Sequence, residues 1–233
     1  MFKTIIGLLT VAGGLAFAAP ACSTLVPNFQ SLIATGSIGC MIGDLIFKNF
    51  GAAFASTGNG IGQTASGVTY LLDEPSFSSQ TGDAIWGFEF NPNIGVVGIG
   101  SSDVMLQYDI LTTNRKITSN HLLLTGIANA GALASVAEGP NCGKLVIDGP
   151  CQFQPTLTVT NLAPHKDSEN IGPFVSIHIF KDINVLSTRE NSFAFISNVR
   201  DAVDEAVPEP MSFTMMGGGL LALAYNLKKR ATH

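Results

Sequence analysis

The chain has 233 residues, 46% of them hydrophobic and only 12% charged, with a net charge of −5. That length leaves room for one main domain with its own core once terminal segments are set aside. Lys and Arg number 12 against 17 Asp and Glu and are scattered except at the C-terminus, so there is no basic stripe to neutralise phosphates, and nucleic acid is excluded as a partner.

Residues 1–21 read as a secretory signal peptide. Lys3 precedes an apolar run from Thr4 to Phe17, and small residues follow in Ala-Phe-Ala and Ala-Pro-Ala arrangements. Cleavage after Ala18 or after Ala21 places alanine at both positions a signal peptidase reads. The apolar run is short for a retained anchor, and Cys22 lacks the preceding leucine of a lipoprotein site.

Four cysteines in an exported chain favour disulfides over metal. Three pairings are formally open; Cys22 with Cys40 and Cys142 with Cys151 is preferred because it closes two local loops. No cysteine pair has Cys-x-x-Cys spacing and no histidine lies close by, which argues against zinc.

A short helix is expected at 29–33. Residues 51–67, GAAFASTGNGIGQTASG, read as a mobile loop or a weak edge strand. Beyond them the apolar period becomes two: Trp86, Phe88 and Phe90 share one face, and Val104, Leu106, Tyr108 and Ile110 share another. The Ala/Leu-rich stretch 121–139 is divided into strands at 117–127 and 132–138, because Gly126 and Gly131 would weaken a helix. Leu157 and Val159 alternate with threonines, and Val175, Ile177 and Ile179 face away from Ser176, His178 and Phe180. Turn signals stand at 91–93, 101–103, 112–114, 139–141 and 170–173. The expected class is all-β: an antiparallel β-sandwich, jelly-roll or Ig-like, over residues 22–203, with a signal helix before it and a transmembrane helix after it.

The C-terminal segment, 204–233, has three parts. Val207, Pro208, Glu209 and Pro210 form an extended stretch, since the prolines fix φ and discourage helix. Residues 211–227 carry no charge, and as a helix at ~1.5 Å per residue they measure about 25 Å, barely enough to span a bilayer. Lys228, Lys229 and Arg230 then form a basic stop on the cytoplasmic side.

Val-Pro-Glu-Pro, an apolar helix with glycines at 217–219 and a basic end resemble the PEP-CTERM sorting signal. Met211 and Asn226 depart from its usual pattern. A second resemblance to PEP-CTERM proteins lies in the body, carried by Cys22, Gly39, Cys40, Gly43, Asp44, Phe47 and Phe50, and by IFKDINV at 179–185. The resemblance implies an exported β-sandwich of a Gram-negative, exopolysaccharide-producing cell. It implies passage through signal peptidase, a transient tether in the inner membrane, cleavage by a membrane-embedded protease, exosortase, and no enzymatic activity of its own.

In the body, HKDSEN gathers His165, Lys166, Asp167, Ser168 and Glu169 within one short segment. A nucleophile, its base and its orienting acid normally converge from separate elements, so this stretch reads as a solvated turn. His121 and His178 read as surface or internally satisfied histidines. Asp73, Glu74, Asp83, Asp103 and Asp109 lack the spacing of a calcium loop. Trp86, Tyr70 and Tyr108 are candidates for sugar stacking, although period two places Trp86 with Phe88 and Phe90 in a core. No catalytic residue, metal ligand set or cofactor is nominated. The leading expectation is a non-enzymatic protein of the cell surface or extracellular matrix associated with exopolysaccharide. The alternatives are a secreted carbohydrate-binding module and a simple C-terminally anchored surface domain.

Overall fold

The computed structural model describes residues 18–73, 84–113, 115–142, 157–162 and 165–206. The expected signal peptide through residue 17, the Cys142–Cys151 bridge and the tail from residue 207 onward lie outside the described residues. Among the described residues, no helix is long and apolar enough to cross a membrane.

A short 3-10 turn at Cys22–Thr24 leads to α1, Phe29–Ala34, where the Asn28 side chain accepts a hydrogen bond from the Ser31 N–H at 2.9 Å. Such a cap stabilises a helix start by about 1 kcal/mol. The strands are β1 (Cys40–Ile42), β2 (Leu45–Ile61), β3 (Thr69–Asp73), β4 (Ala84–Asn91), β5 (Ile94–Thr112), β6 (Lys116–Ala128), β7 (Ala132–Cys142), β8 (Leu157–Thr160), β9 (Lys166–Phe174), β10 (Ser176–Ser187) and β11 (Phe193–Ala206). Each pairs with its strand neighbours in antiparallel fashion.

One layer runs β1-β2-β5-β10-β7-β8 and the other β3-β4-β11-β6-β9. They are joined where residues 94–97 of β5 pair with 193–196 of β11, so one hydrogen-bonded surface folds over onto itself as a two-layer sandwich. Aromatic rings fill the space between the layers. Phe47 of β2 lies 4.9 Å from Phe88 of β4 between ring centroids, and Tyr108 of β5 lies 6.2 Å from Phe88 and 6.0 Å from Phe90. Phe29 of α1 closes one end of this cluster against Phe50 and Phe90. Each well-oriented ring pair contributes about 0.5–1.5 kcal/mol beyond the area it buries.

Phe47 and Phe50 are both buried although they stand three positions apart in one strand, which a regular period of two forbids. The reason is a bulge. The β2–β5 register slips between Lys48 and Gly51, and Asn49 takes a left-handed φ of 56°. The extra residue turns Phe50 back inward and sends the Asn49 side chain out. Two glycines in the same region are fixed by space: a Cβ on Gly39, at φ 72°, would lie 2.1 Å from the Phe47 carbonyl oxygen, and one on Gly43, at φ 61°, 2.9 Å from the Trp86 ring. The expected Cys22–Cys40 disulfide is present and clamps the start of the body to β1.

The alternating runs at 86–90, 104–110 and 157–159 are strands, with Phe88, Phe90, Val104, Leu106, Tyr108, Ile110, Leu157 and Val159 buried. The helix near residue 29 and the division of 117–138 into two strands also hold. Several local signals are overridden. The turn signals at 101–103 and 139–141 lie inside β5 and β7, because long ladders on neighbouring strands supply enough hydrogen bonds to carry polar, Gly and Pro residues in extended form; the one at 170–173 lies within β9 at a register irregularity, where Asn170 pairs with β6 and Gly172 takes a φ of 90°. Residues 51–61 of the small-residue stretch belong to β2 and pair on one side with β5, which is the edge-strand alternative of the expectation, whereas HKDSEN runs into edge strand β9 rather than forming a turn. Val175 sits between β9 and β10 and is exposed, apart from the buried Ile177 and Ile179.

Candidate functional site

The outward faces of β2, β5, β10 and β7 form one continuous outer face of the sandwich. Cross-strand register sets Phe180 between Gln107 and Gly139, and sets Gln107 in turn against Gly51. Small residues flank this line: Ala53 and Ala55 on β2, and Ser135 and Ala137 on β7. Phe180 therefore stands above its surroundings and is 37% exposed, as is Met105 on the next strand.

Polar groups with fixed orientations border the ring on both sides. Towards one end, Asp109 accepts a hydrogen bond from Asn49 Nδ2 at 2.6 Å through Oδ2 and contacts His178 Nδ1 at 2.6 Å through Oδ1. The Asn49 that the bulge sends outward is thus the residue that orients Asp109. Towards the other end stand Asp103 and Asp182. Burial first, and then the charge of Asp182 and a hydrogen bond to it, push the Asp103 carboxyl up to about 6. An exposed ring bordered by oriented carboxylates, an amide and an imidazole can stack on the apolar face of a pyranose and bond its hydroxyls.

The sequence-nominated residues are placed differently. Tyr70 and Tyr108 are buried, with the Tyr70 hydroxyl donating to the Cys22 carbonyl at 3.2 Å. Trp86 packs half-buried over Gly43. These three do not form an exposed row, because Phe88 and Phe90 draw them into the core. In the HKDSEN segment, Asp167 accepts backbone N–H groups of Thr158 and Ser168 and meets no nucleophile. His121 does meet Ser119 and Asp204, at 3.2 and 3.1 Å, but through the same ring atom, Nε2, while Ser119 donates directly to Asp204 at 2.6 Å. A triad needs one ring nitrogen for each partner, and this cluster does not provide that. Asp103 and Asp109, weighed for calcium, are engaged separately with Asp182 and with Asn49 and His178; the side chains of Asp73, Glu74 and Asp83 lie outside the described residues.

A second polar group lies at the end of β11. Arg115 reaches Asp44 at 3.2 Å and the fully buried Glu205 at 3.8 Å. Burial, followed by a hydrogen bond to Asp44, pushes Glu205 up to about 7, with Thr112 and Arg115 opposing.

The residue missed in the sequence is Phe180. The alternation places it on the polar face beside Ser176 and His178, but a single phenylalanine there carries no signal of a binding role.

No protein-family model matches the chain, and no curated protein matches it. Solved structures similar to it include the carbohydrate-binding module TmCBM61 in complex with β-1,4-galactotriose, at 12% identity and a TM-score of 0.29, covering 75% of this chain and 93% of that one. Another is the enzymatically active domain of tailspike protein 4 of bacteriophage CBA120, at 14% identity and a TM-score of 0.31, covering 66% and 19%. A third is a carbohydrate-binding module of the β-sandwich superfamily, at 11% and 0.25, covering 82% and 64%. None reaches a TM-score from which a relationship follows.

Proposed function

We propose that this chain is an exported, non-enzymatic β-sandwich of the cell surface or extracellular matrix that holds polysaccharide on the outer face around Phe180. The observation that carries the binding reading is Phe180 itself: a large ring left partly exposed on an outer sheet face with Asp109, His178, Asp103 and Asp182 nearby. Three carboxyl groups on that face disfavour a polyuronate and favour a neutral polymer. Export is supported by the Cys22–Cys40 disulfide, a bond that persists in oxidising compartments. In this reading the tail, with Val207 to Pro210 and the basic residues 228–230, is the sorting signal that exosortase cuts.

The test is retention of the purified protein on insoluble or gel-embedded polysaccharides. Wild type is expected to be retarded by neutral polymers and not by alginate-type polymers. Phe180→Ala should lose retention at least tenfold with an unchanged unfolding midpoint, since a truncation at a 37% exposed position leaves the core intact. Equal retention of wild type and variant would refute the assignment of this face.

A further inference from the structure

Strand alternation puts Lys181 on the inner side of β10, between Ile179 and Ile183, where it is fully buried. Directly across the ladder on β7 is Glu138, equally buried, and the two side chains form an ion pair. From the opposite layer, Asn120 of β6 donates its Nδ2 to the other oxygen of the same Glu138 carboxylate. Asp201 of β11 lies 3.3 Å from Lys181 Nζ. One carboxylate thus touches both an amine and a carboxamide, deep inside the molecule, with Leu106, Leu157, Leu122 and Val203 around them as ladder neighbours.

A buried ion pair of this kind is a poor source of stability, because desolvation offsets much of the attraction. Asn120 Oδ1 is also buried without a hydrogen-bond partner, which leaves an unmet desolvation cost. The same arrangement is well suited to chemistry. Burial lowers the Lys181 amine well below its ordinary range and favours the neutral, nucleophilic form. A carboxamide is neutral and accepts an amine more readily than an ionised carboxylate does.

We propose that Lys181 and Asn120 condense spontaneously into an intramolecular isopeptide bond that joins the two layers, with Glu138 carrying the protons. A proton passes from Lys181 Nζ to Glu138, leaving the neutral amine. The Nζ lone pair attacks Asn120 Cγ; Glu138 gives its proton to the departing nitrogen and takes one from the attacking nitrogen. The Cγ–Nδ2 bond breaks, the Cγ–Nζ bond forms, and ammonia leaves. No oxidant, metal or other reactant is required, and the chain is shortened in mass by one ammonia. The product exchanges a buried amine and a buried carboxamide for one neutral amide, and staples β10 to β6 across the core.

The bond is read on the full chain purified under denaturing conditions, so that the result does not depend on how any variant folds. After reduction and alkylation, the intact mass is expected to fall short of the sequence mass by one ammonia, allowing for any removed termini identified by peptide mapping. Trypsin should fail to cut at Lys181 and should release one branched peptide joining that region to the segment containing Asn120. Glu138→Gln and Lys181→Met should each show full mass and no branched peptide. Full mass in the wild type with normal cleavage at Lys181 would overturn the proposal. Loss of one water, with a branch at Glu138 or Asp201, would overturn the assignment to Asn120.

Discussion

Glu205→Gln removes a carboxyl that the fold holds in a costly ionised state at neutral pH. Glu205 is fully buried at the end of β11, and its carboxyl is pushed from the ordinary 4.5 to about 7, chiefly by burial and then by its hydrogen bond to Asp44. A carboxyl with a raised value binds its proton more tightly folded than unfolded. Its contribution to stability is therefore fully present below pH 4.5 and is lost as the pH rises through about 7. At about 1.4 kcal/mol per pH unit, the interval amounts to about 3 kcal/mol, an upper value because the cost is shared with the neighbouring charged groups. Glutamine keeps the shape and cannot ionise. The assay is denaturant unfolding of wild type and variant from pH 4.5 to 8.5, with the disulfide kept oxidised. Taking pH 4.5 as the baseline absorbs the lost pairing to Arg115. The variant should then gain on the wild type progressively and level off above pH 7. A flat difference curve, or one with the variant losing ground as pH rises, would refute the reasoning.

Three further outcomes follow from the packing. Replacing Cys22 and Cys40 by serine should lower stability by about 3 kcal/mol, the loop-closure value for a separation of 18 residues, read by denaturant midpoint at constant m-value. Gly39→Ala should be more damaging than its size suggests, because the new Cβ meets backbone at 2.1 Å in a left-handed conformation; little soluble protein, or a large fall in thermal midpoint, is expected. Phe88→Ala should cost about 3–5 kcal/mol by removing a ring packed against Phe47, Phe50, Tyr70, Phe90 and Tyr108, measured by denaturant unfolding.

Much of the strand architecture is legible in the sequence because burial on one face of a sheet imposes a period of two. Val104 to Ile110 and Phe88 to Phe90 show it directly, and the two glycines at 126 and 131 mark where a helix fails. What is not legible depends on partners distant in the chain. Polar segments such as 101–103 and 139–141 are extended only because β10 pairs with both β5 and β7. The Phe47–Phe50 spacing makes sense only with the bulge at Asn49. Lys181 follows the alternation of its strand faithfully, yet a lysine read alone suggests solvent, and only Glu138, Asn120 and Asp201 from three other strands make its burial intelligible. Phe180 is the reverse case, an aromatic on the polar phase of the same strand.

The most direct test of an exported and sorted surface protein is its intact mass, recovered separately from the host's envelope and from the medium. The expected result is loss of the signal peptide, with a new N-terminus at residue 19 or 22, and loss of everything beyond residues 207–210. Full retention of residues 211–233 in a host with active exosortase would contradict it and leave a sandwich anchored by its own C-terminal helix.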